Sequence, residues 1–537
     1  MKKKKIKKII AKRLKKQTWN GLPMILVILD GWGIALPNRG NAITLSKTPT
    51  INYLTKKYPY TKLHAYGKYV GLPANQVGNS EAGHMNIGAG RVVEQDAVKI
   101  NRSINDGTFF KNTAFKEAIN HVRQNHSKLH LMGMLSNGMS PHSDLNHLSA
   151  LIKLARESKV KELYLHLFTD GRDSPQHEAL RIVGDLKKDC RNNIQIATLM
   201  GRFYAMDRKK EWSRTQTAYN ALVLGKGLLA RDAEEAIVES YNRNETDEFI
   251  KPYIINKRGL IESNDAVIFF NLRSDRARQL AKVFVQKKFT TINPGSFVRK
   301  IILDNLCFVT MTDFGPDLNK ILSAYPSVDL NNTLPVILSD LSQLYIAESE
   351  KFAHVTYFLN GGYAGIINGE DRFMIPSPSV SSYDETPQMK SYELTRKILN
   401  NLRNKKYEFT VLNFAASDMI AHTGNLEAGV KCCEILDKCV KKIVDAYLKK
   451  NGTVIITADH GNIEEMINLK TGEIDTAHST YPVPFILVNK NLKKIKLASN
   501  GSLCDITPTI LKIIGKKKPI VMTGENLILK QTTGKKI

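Results

Sequence analysis

The chain of 537 residues, 42% hydrophobic and 24% charged, is long enough for three to four average domains with sizeable cores, which describes a large soluble protein. Its six cysteines are too few and too irregularly spaced for a disulfide framework or a Cys-rich zinc site, and no run of about 18 apolar residues offers a membrane span. The net charge of +27 takes +10 from residues 1–16 alone, and the remaining lysines are scattered without a zinc-finger, helix-turn-helix or RNA-binding signature, so no nucleic-acid partner is expected.

Residues 1–20 read as a basic, solvated extension without the apolar core and cleavage site of a secretory signal, and a reducing cytoplasm is the expected compartment. Thereafter short apolar runs recur between helical patterns: MILVIL (24–29), LHLMGM (129–134), LYLHLF (163–168), IQIATLM (194–200), AVIFFNL (266–272), FTVLNF (409–414), TVIITA (453–458) and PFILV (484–488). This alternation predicts an α/β protein with largely buried sheets. Cys432, Cys433 and Cys439 fall on one helical pattern with Leu436, Val440 and Ile443, which predicts core packing and no chemistry.

Polar residues cluster just past the runs: Asp30, the stretch 137–142, Asp170 to Asp173, Arg202, Arg273, Asp418, and Asp459 with His460. In open α/β sheets the ligand crevice lies beyond the carboxyl ends of the strands, so residues far apart in sequence can converge there. Acidic and histidine clusters occupy the first 90 and last 200 residues, and paired arginines occupy 172–276. The expected organisation is therefore a domain made from both chain ends, 21–95 and 328–537, interrupted by a second α/β domain over 96–327.

Asp418 and His422 stand four apart, Asp459-His460-Gly461-Asn462 follows a strand, and His478 lies beyond in Thr476-Ala477-His478. Carboxylate with imidazole suits divalent transition metals, and two ions are possible. Ser80 sits in the small-residue segment Gly78-Asn79-Ser80-Glu81-Ala82-Gly83-His84, ahead of a predicted helix whose N-terminus can favour a phosphate. Arg172, Arg202, Arg208, Arg273 and Arg276 form a set of guanidinium forks suited to a small, strongly anionic substrate.

Together with Asp30-Gly31-Trp32-Gly33, Asp170-Gly171-Arg172-Asp173, the segment 201–208 and Glu350-Lys351, these motifs resemble cofactor-independent phosphoglycerate mutase, in order from about residue 24 to 525. The resemblance implies an alkaline-phosphatase-like domain built from both chain ends and an inserted α/β substrate-binding domain. It implies two manganese-type ions, one held by Asp418, His422 and His478 and the other by Asp30, Ser80, Asp459 and His460. It assigns substrate binding to His142, Arg172, Asp173, Arg202, Arg208, Arg273, Arg276 and Lys351, with Ser80, Asp173 and Lys351 in the chemistry. The implied reaction interconverts 3- and 2-phosphoglycerate through phosphorylated Ser80, without 2,3-bisphosphoglycerate, in a cytoplasmic monomer.

A related phosphatase, phosphopentomutase or sulfatase would share the metal ligands, but the five arginines favour the mutase, and Ser80 in place of a Cys-containing nucleophile motif speaks against a sulfatase. One segment departs from the family pattern: Ser136-Asn137-Gly138-Met139-Ser140-Pro141-His142 is one residue longer than usual and lacks a second glycine, which bears on where His142 falls.

Overall fold

The computed structural model describes residues 21–529 except 139, 190–194, 316, 319–320, 327–329 and 405. The basic extension expected over 1–20 lies outside the described residues. Contacts divide the chain into two compact units, residues 1–95 with 328–537 and residues 96–327. Each unit carries its own mixed α/β sheet.

The chain begins in the first unit with β1 (Met24–Leu29) and β2 (Tyr60–His64). Every residue of β1 is buried, as an uninterrupted apolar run on a sheet covered on both faces must be. At about 1.5–3 kcal/mol per fully buried aliphatic side chain, this strand is a main anchor of the core. The chain then crosses to the second unit, which contains β3 (Leu129–Met134), β4 (Leu163–Thr169), β5 (Gln195–Gly201), β6 (Leu228–Leu229), β7 (Tyr253–Ile254), β8 (Ala266–Phe269), β9 (Cys307–Thr312) and β10 (Ile321–Tyr325). On its return it completes the first sheet with β11 (Gln343–Glu348), β12 (Glu370–Ile375), β13 (Phe409–Phe414), β14 (Thr453–Thr457), β15 (Val483–Val488) and β16 (Gly501–Ser502).

Among the described residues the first sheet runs β12-β11-β13-β1-β14-β15-β2-β16, parallel except where β15 opposes its two neighbours. The second runs β10-β9-β8-β3-β4-β5-β7-β6, with β7 antiparallel to β5. The adjacent parallel strands β11, β13, β1 and β14 therefore end on the same side of their sheet, and so do β8, β3, β4 and β5 of the other. Those two rows of strand ends place the chemistry described below.

Each apolar run expected from the sequence forms a strand, and Ile194, which opens one of them, lies outside the described residues. Strands β2, β9, β10, β11 and β12, and the two-residue strands β6, β7 and β16, were not anticipated. Polar residues such as Lys62 in YTKLH and Arg372 in EDRFMI break the apolar pattern there. Cys432, Cys433 and Cys439 are fully buried in the helix Leu426–Lys449, where the helical spacing puts them. No helix among the described residues is long and apolar enough to cross a membrane.

Candidate active site

In the first unit, four neighbouring strand ends deliver four polar groups. Asp30 follows β1, Lys351 follows β11 by one short turn, Asp418 lies in the helix Ala416–Ala421 after β13, and Asp459 with His460 follows β14. Ser80 opens the helix Ser80–Ala89, which is capped at its start by the Asn79 side chain accepting from Ala82 N at 2.8 Å, a bond whose loss costs about 1 kcal/mol. Gly83 lets this helix lie directly on the Asp459 backbone, where a Cβ would collide with the Asp459 carbonyl.

Ser80 Oγ lies 2.7 Å from Lys351 Nζ, 3.0 Å from His460 Nε2 and 3.2 Å from Asp30 Oδ1. Lys351 Nζ also reaches Asp30 Oδ1 and Asp418 Oδ2, each at 2.6 Å. Burial works against charge on Lys351, but Asp30, Asp418 and Asp459 outweigh it and raise the ammonium pKa. Burial likewise opposes charge on His460, yet Asp459, Asp30 and Asp418 push its pKa up to about 9. Three buried carboxylates facing one lysine leave the region rich in negative charge, an arrangement that is costly without further cations.

The histidines show where such cations fit. His422 Nδ1 and His478 Nδ1 each bond a backbone carbonyl, of Thr476 and Gly78 respectively, at 2.8 Å. If both Nδ1 atoms donate, both Nε2 atoms present lone pairs, and these face each other at 3.0 Å and Asp418 Oδ1 at 3.4 Å. Two lone pairs and a carboxylate converging on one point suit a divalent cation, and the carbonyl partners are the usual means of fixing the ligating nitrogen. Asp418, His422 and His478 thus form one group with metal-binding spacing, and Asp30, Asp418 and His460 form a second.

Asp459 comes within 3.6 Å of His460 Nε2, and its Oδ2 is buried with no hydrogen bond of its own. His84 stands 3.2 Å from that oxygen, making a third candidate group with Asp30 and Asp459. However, His84 Nδ1 is committed to the Ser80 carbonyl at 2.8 Å, and Nε2 accepts from Asn413 Nδ2 at 3.1 Å, which leaves it no lone pair for an ion. It orients its neighbours.

The second unit gathers the arginines. Arg202 donates to Asp170, and to Asp173 Oδ2 at 2.7 Å, while Ser140 Oγ donates to the same Asp173 oxygen at 2.8 Å. Arg172 pairs with Glu248 at 3.3 Å, Arg208 with Asp275 at 2.9 Å, and Arg273 approaches Asp275 at 3.8 Å. Arg172, Arg202, Arg208 and Arg276 line a cavity of about 260 Å³ whose wall also includes Phe203, Arg214 and Glu248. His142 lies 4.0 Å from both Asp173 and Asp275, its loop fixed by Leu272 N donating to the His142 carbonyl at 2.7 Å. The lengthened loop therefore still brings His142 beside Asp173. Burial, reinforced by Arg202 and Arg273, lowers its pKa to about 3 and keeps the ring neutral.

The structure thus brings Asp30, Ser80, Lys351, Asp418, His422, Asp459, His460 and His478 together in one unit, and His142, Arg172, Asp173, Arg202, Arg208, Arg273 and Arg276 together in the other. Sequence reasoning quoted His84 and Asp170 within motifs without giving either a role, and it had not singled out Asn413, Asp275, Glu248 or Glu464. A signal existed for two of them. Asn413 is a polar interruption one residue from the end of an apolar strand, and His84 follows Ser80 by one helical turn.

Comparison with known proteins finds relatives along nearly the whole chain. The metalloenzyme superfamily model matches residues 22–518. The chain is 48% identical over 515 residues to the 2,3-bisphosphoglycerate-independent phosphoglycerate mutase of Clostridium botulinum, covering 94% of this chain and 99% of that one. A 2,3-bisphosphoglycerate-independent phosphoglycerate mutase of Methanosarcina barkeri is 47% identical over 518 residues, 95% of this chain and 98% of its own. Among solved structures, a Leishmania mexicana phosphoglycerate mutase determined at low cobalt concentration superposes with a TM-score of 0.75 at 29% identity, covering 95% of this chain and 99% of that one. With nearly the whole chain matched and the metal-type residues gathered at the strand ends, the chain belongs to the 2,3-bisphosphoglycerate-independent phosphoglycerate mutases of the metalloenzyme superfamily.

Proposed function

We propose that the chain interconverts 3- and 2-phosphoglycerate by carrying the phosphoryl group on Ser80, with two divalent ions of manganese type. The observation that carries this reading is the setting of Ser80 Oγ, within 3.2 Å of Lys351, His460 and Asp30 at once. A hydroxyl in that setting is placed for nucleophilic attack rather than for packing. Asp418, His422 and His478 would hold one ion, and Asp30, Ser80, Asp459 and His460 the other. When bound, the ions supply Lewis acidity toward the phosphoryl oxygens and favour the deprotonated serine.

Ser80 Oγ, its proton having passed to solvent, attacks phosphorus, the bond from phosphorus to the 3-oxygen breaks, and glycerate is left with a free 3-hydroxyl once that oxygen takes up a proton from solvent. Lys351 stands where charge develops on the transferring oxygens. Arg172, Arg202, Arg208, Arg273 and Arg276 retain the glycerate by its carboxylate and hydroxyls while the phosphoryl group is on Ser80. The 2-hydroxyl then attacks the phosphoserine and releases Ser80. We assign Asp173 the proton traffic at the glycerate hydroxyls. Burial opposes its charge, but Arg202 and Ser140 outweigh burial and hold the carboxyl below its ordinary range, so it stands ionised and ready to accept. His142 lies beside it as a neutral group. The enzyme is proposed to act as a cytoplasmic monomer, its described cysteines free thiols.

A coupled assay for conversion of 3- to 2-phosphoglycerate with manganese and no bisphosphoglycerate tests the reaction. Mass spectrometry of acid-quenched enzyme should find the phosphate on Ser80, and phosphate found only on a histidine would reject the route.

A further inference from the structure

Glu464 lies four residues beyond His460, is fully buried, and has no part in the reaction described above. Its carboxylate collects donors from three loops, each carrying a proposed metal ligand. Oε2 accepts from Gly33 N at 2.9 Å, in the loop that begins with Asp30, and from Asn462 N at 2.9 Å, in the loop of Asp459 and His460. Oε1 accepts from Ser479 Oγ, the immediate neighbour of His478. Asn462 extends the set to a fourth strand end by donating through Nδ2 to Asp418 Oδ1 at 2.7 Å. The chain leaves room for this carboxylate by carrying glycine at two positions, since a Cβ on Gly33 or Gly461 would run into it.

A buried carboxylate satisfied only by neutral donors is costly unless it fixes something of value. Glu464 is not placed as a ligand: its oxygens face the Gly33 and Asn462 backbone N–H groups and Ser479 Oγ, and it belongs to none of the metal-type groups among the described residues. Its partners are the loops that must hold Asp30, Asp459, His460 and His478 in mutual register. We propose that Glu464 is the positioning residue that preforms both groups of metal ligands, with Ser479 as the limb that serves His478. This rests on the two-ion reading above.

The limbs are separable. Glu464→Ala removes all three contacts. Glu464→Gln keeps the shape, since its amide oxygen can accept from Gly33 N and Asn462 N while its amide nitrogen donates to Ser479 Oγ. Ser479→Ala removes the contact beside His478, together with the bond that hydroxyl accepts from Tyr481 N at 3.2 Å, and leaves the contacts to Gly33 and Asn462 in place.

The test is calorimetric titration of the full-length, metal-free proteins with Mn2+, together with thermal unfolding with and without Mn2+. Groups that orient ligands are typically worth about 10–100-fold in metal affinity, so Glu464→Ala should weaken both ions at least about tenfold, and Glu464→Gln should restore binding to within about threefold of wild type. Ser479→Ala should weaken one ion by about tenfold and leave the other unchanged. The rise in Tm on adding Mn2+ should shrink in Glu464→Ala and recover in Glu464→Gln. A folded Glu464→Ala protein that binds two ions with wild-type affinity, even with a lower metal-free Tm, overturns the proposal. If Glu464→Ala does not fold, Ser479→Ala decides, and wild-type affinity for both ions in that variant overturns it. A wild-type protein that binds no Mn2+ overturns this proposal and the two-ion reading together.

Discussion

Lys351 Nζ stands 2.7 Å from Ser80 Oγ while also touching Asp30 and Asp418 at 2.6 Å, so a single cation is shared between the proposed nucleophile and two proposed metal ligands. Three buried acceptors crowd one ammonium, which fixes the lysine where charge would develop during transfer and lets it compete with divalent ions for the same oxygens. The two consequences can be measured separately. Lys351→Met should lower the mutase rate by about 100-fold or more, the scale on which one preorganised electrostatic group acts. Its affinity for Mn2+, measured by calorimetry, should stay level or rise, because a competing cation has gone. A variant that lost metal and activity together would show that Lys351 organises the carboxylates instead of serving the transfer.

Metal dependence should be strong and should weaken with acid. His422, His460 and His478 must each offer a lone pair to bind, so protons compete with the ions for the same nitrogens. Burial opposes a proton on His460, but the carboxylates of Asp459, Asp30 and Asp418 hold one there in the metal-free protein, up to about pH 9, so binding should release it. Dialysis against a chelator should abolish activity and added Mn2+ should restore it, with apparent affinity falling as pH is lowered from 8 to 6. Full activity after exhaustive chelation, with no metal found by elemental analysis, would sink the two-ion reading.

Much of the site was legible in the sequence because the chemistry sits on short motifs next to strongly apolar strands. Asp30 follows MILVIL, and Asp459 and His460 follow TVIITA by two residues at most, so strand recognition located them. What escaped was held by contacts between distant segments. Glu464 serves Gly33 and Asn413 serves Asp30, across sequence gaps of hundreds of residues that no local pattern encodes. Strand β11, which leads to Lys351, escaped for a different reason. Its residues QLYIAE are all buried, but Gln343 and Glu348 at its two ends read as exposed, and the burial of Gln343 is offset by local bonds such as Nε2 to the Leu338 carbonyl at 2.9 Å. The His142 loop shows the converse, since despite its extra residue the imidazole still falls within 4.0 Å of Asp173.

Glu348 gives a pH-dependent stability test away from the metal ligands. It is fully buried at the end of β11, with Lys390 N donating to Oε1 at 3.1 Å and no partner on Oε2. Burial pushes its pKa from the ordinary 4.5 up to about 7, only partly offset by the Lys390 backbone bond and the Ser377 side chain. The folded protein therefore holds a proton that the unfolded chain gives up. Its stabilising contribution is complete below about pH 4.5 and lost as pH rises through about 7, a change of about 3 kcal/mol. Glu348→Gln removes the titration, so its stability relative to wild type should improve between pH 5 and pH 8 by about that amount. Denaturant unfolding of both proteins at the two pH values checks this, and an unchanged difference would mean that Glu348 is already ionised at pH 5 in the folded protein.

Carrying the phosphoryl group and retaining the glycerate are separate tasks assigned to different residues, so variants in the two sets should fail differently. Ser80→Ala removes the carrier, and both mutase activity and any slow release of phosphate from substrate should disappear. Arg273→Ala leaves Ser80, Lys351 and the proposed ligands untouched. It removes a guanidinium that approaches Asp275 at 3.8 Å, next to Arg208 on the same carboxylate, and so loosens the hold on the glycerate. Glycerate then escapes, or water reaches the phosphoserine, before the 2-hydroxyl can take the group back. The mutase rate should fall by about ten- to a hundredfold, the range in which lost positioning acts, while phosphate release falls much less. The ratio of phosphate to 2-phosphoglycerate should therefore rise, and measuring both products in one reaction reads it directly. Equal loss of both activities in Arg273→Ala, with metal content and folding unchanged, would mean that Arg273 serves transfer to Ser80 itself and that the two tasks are not divided as proposed.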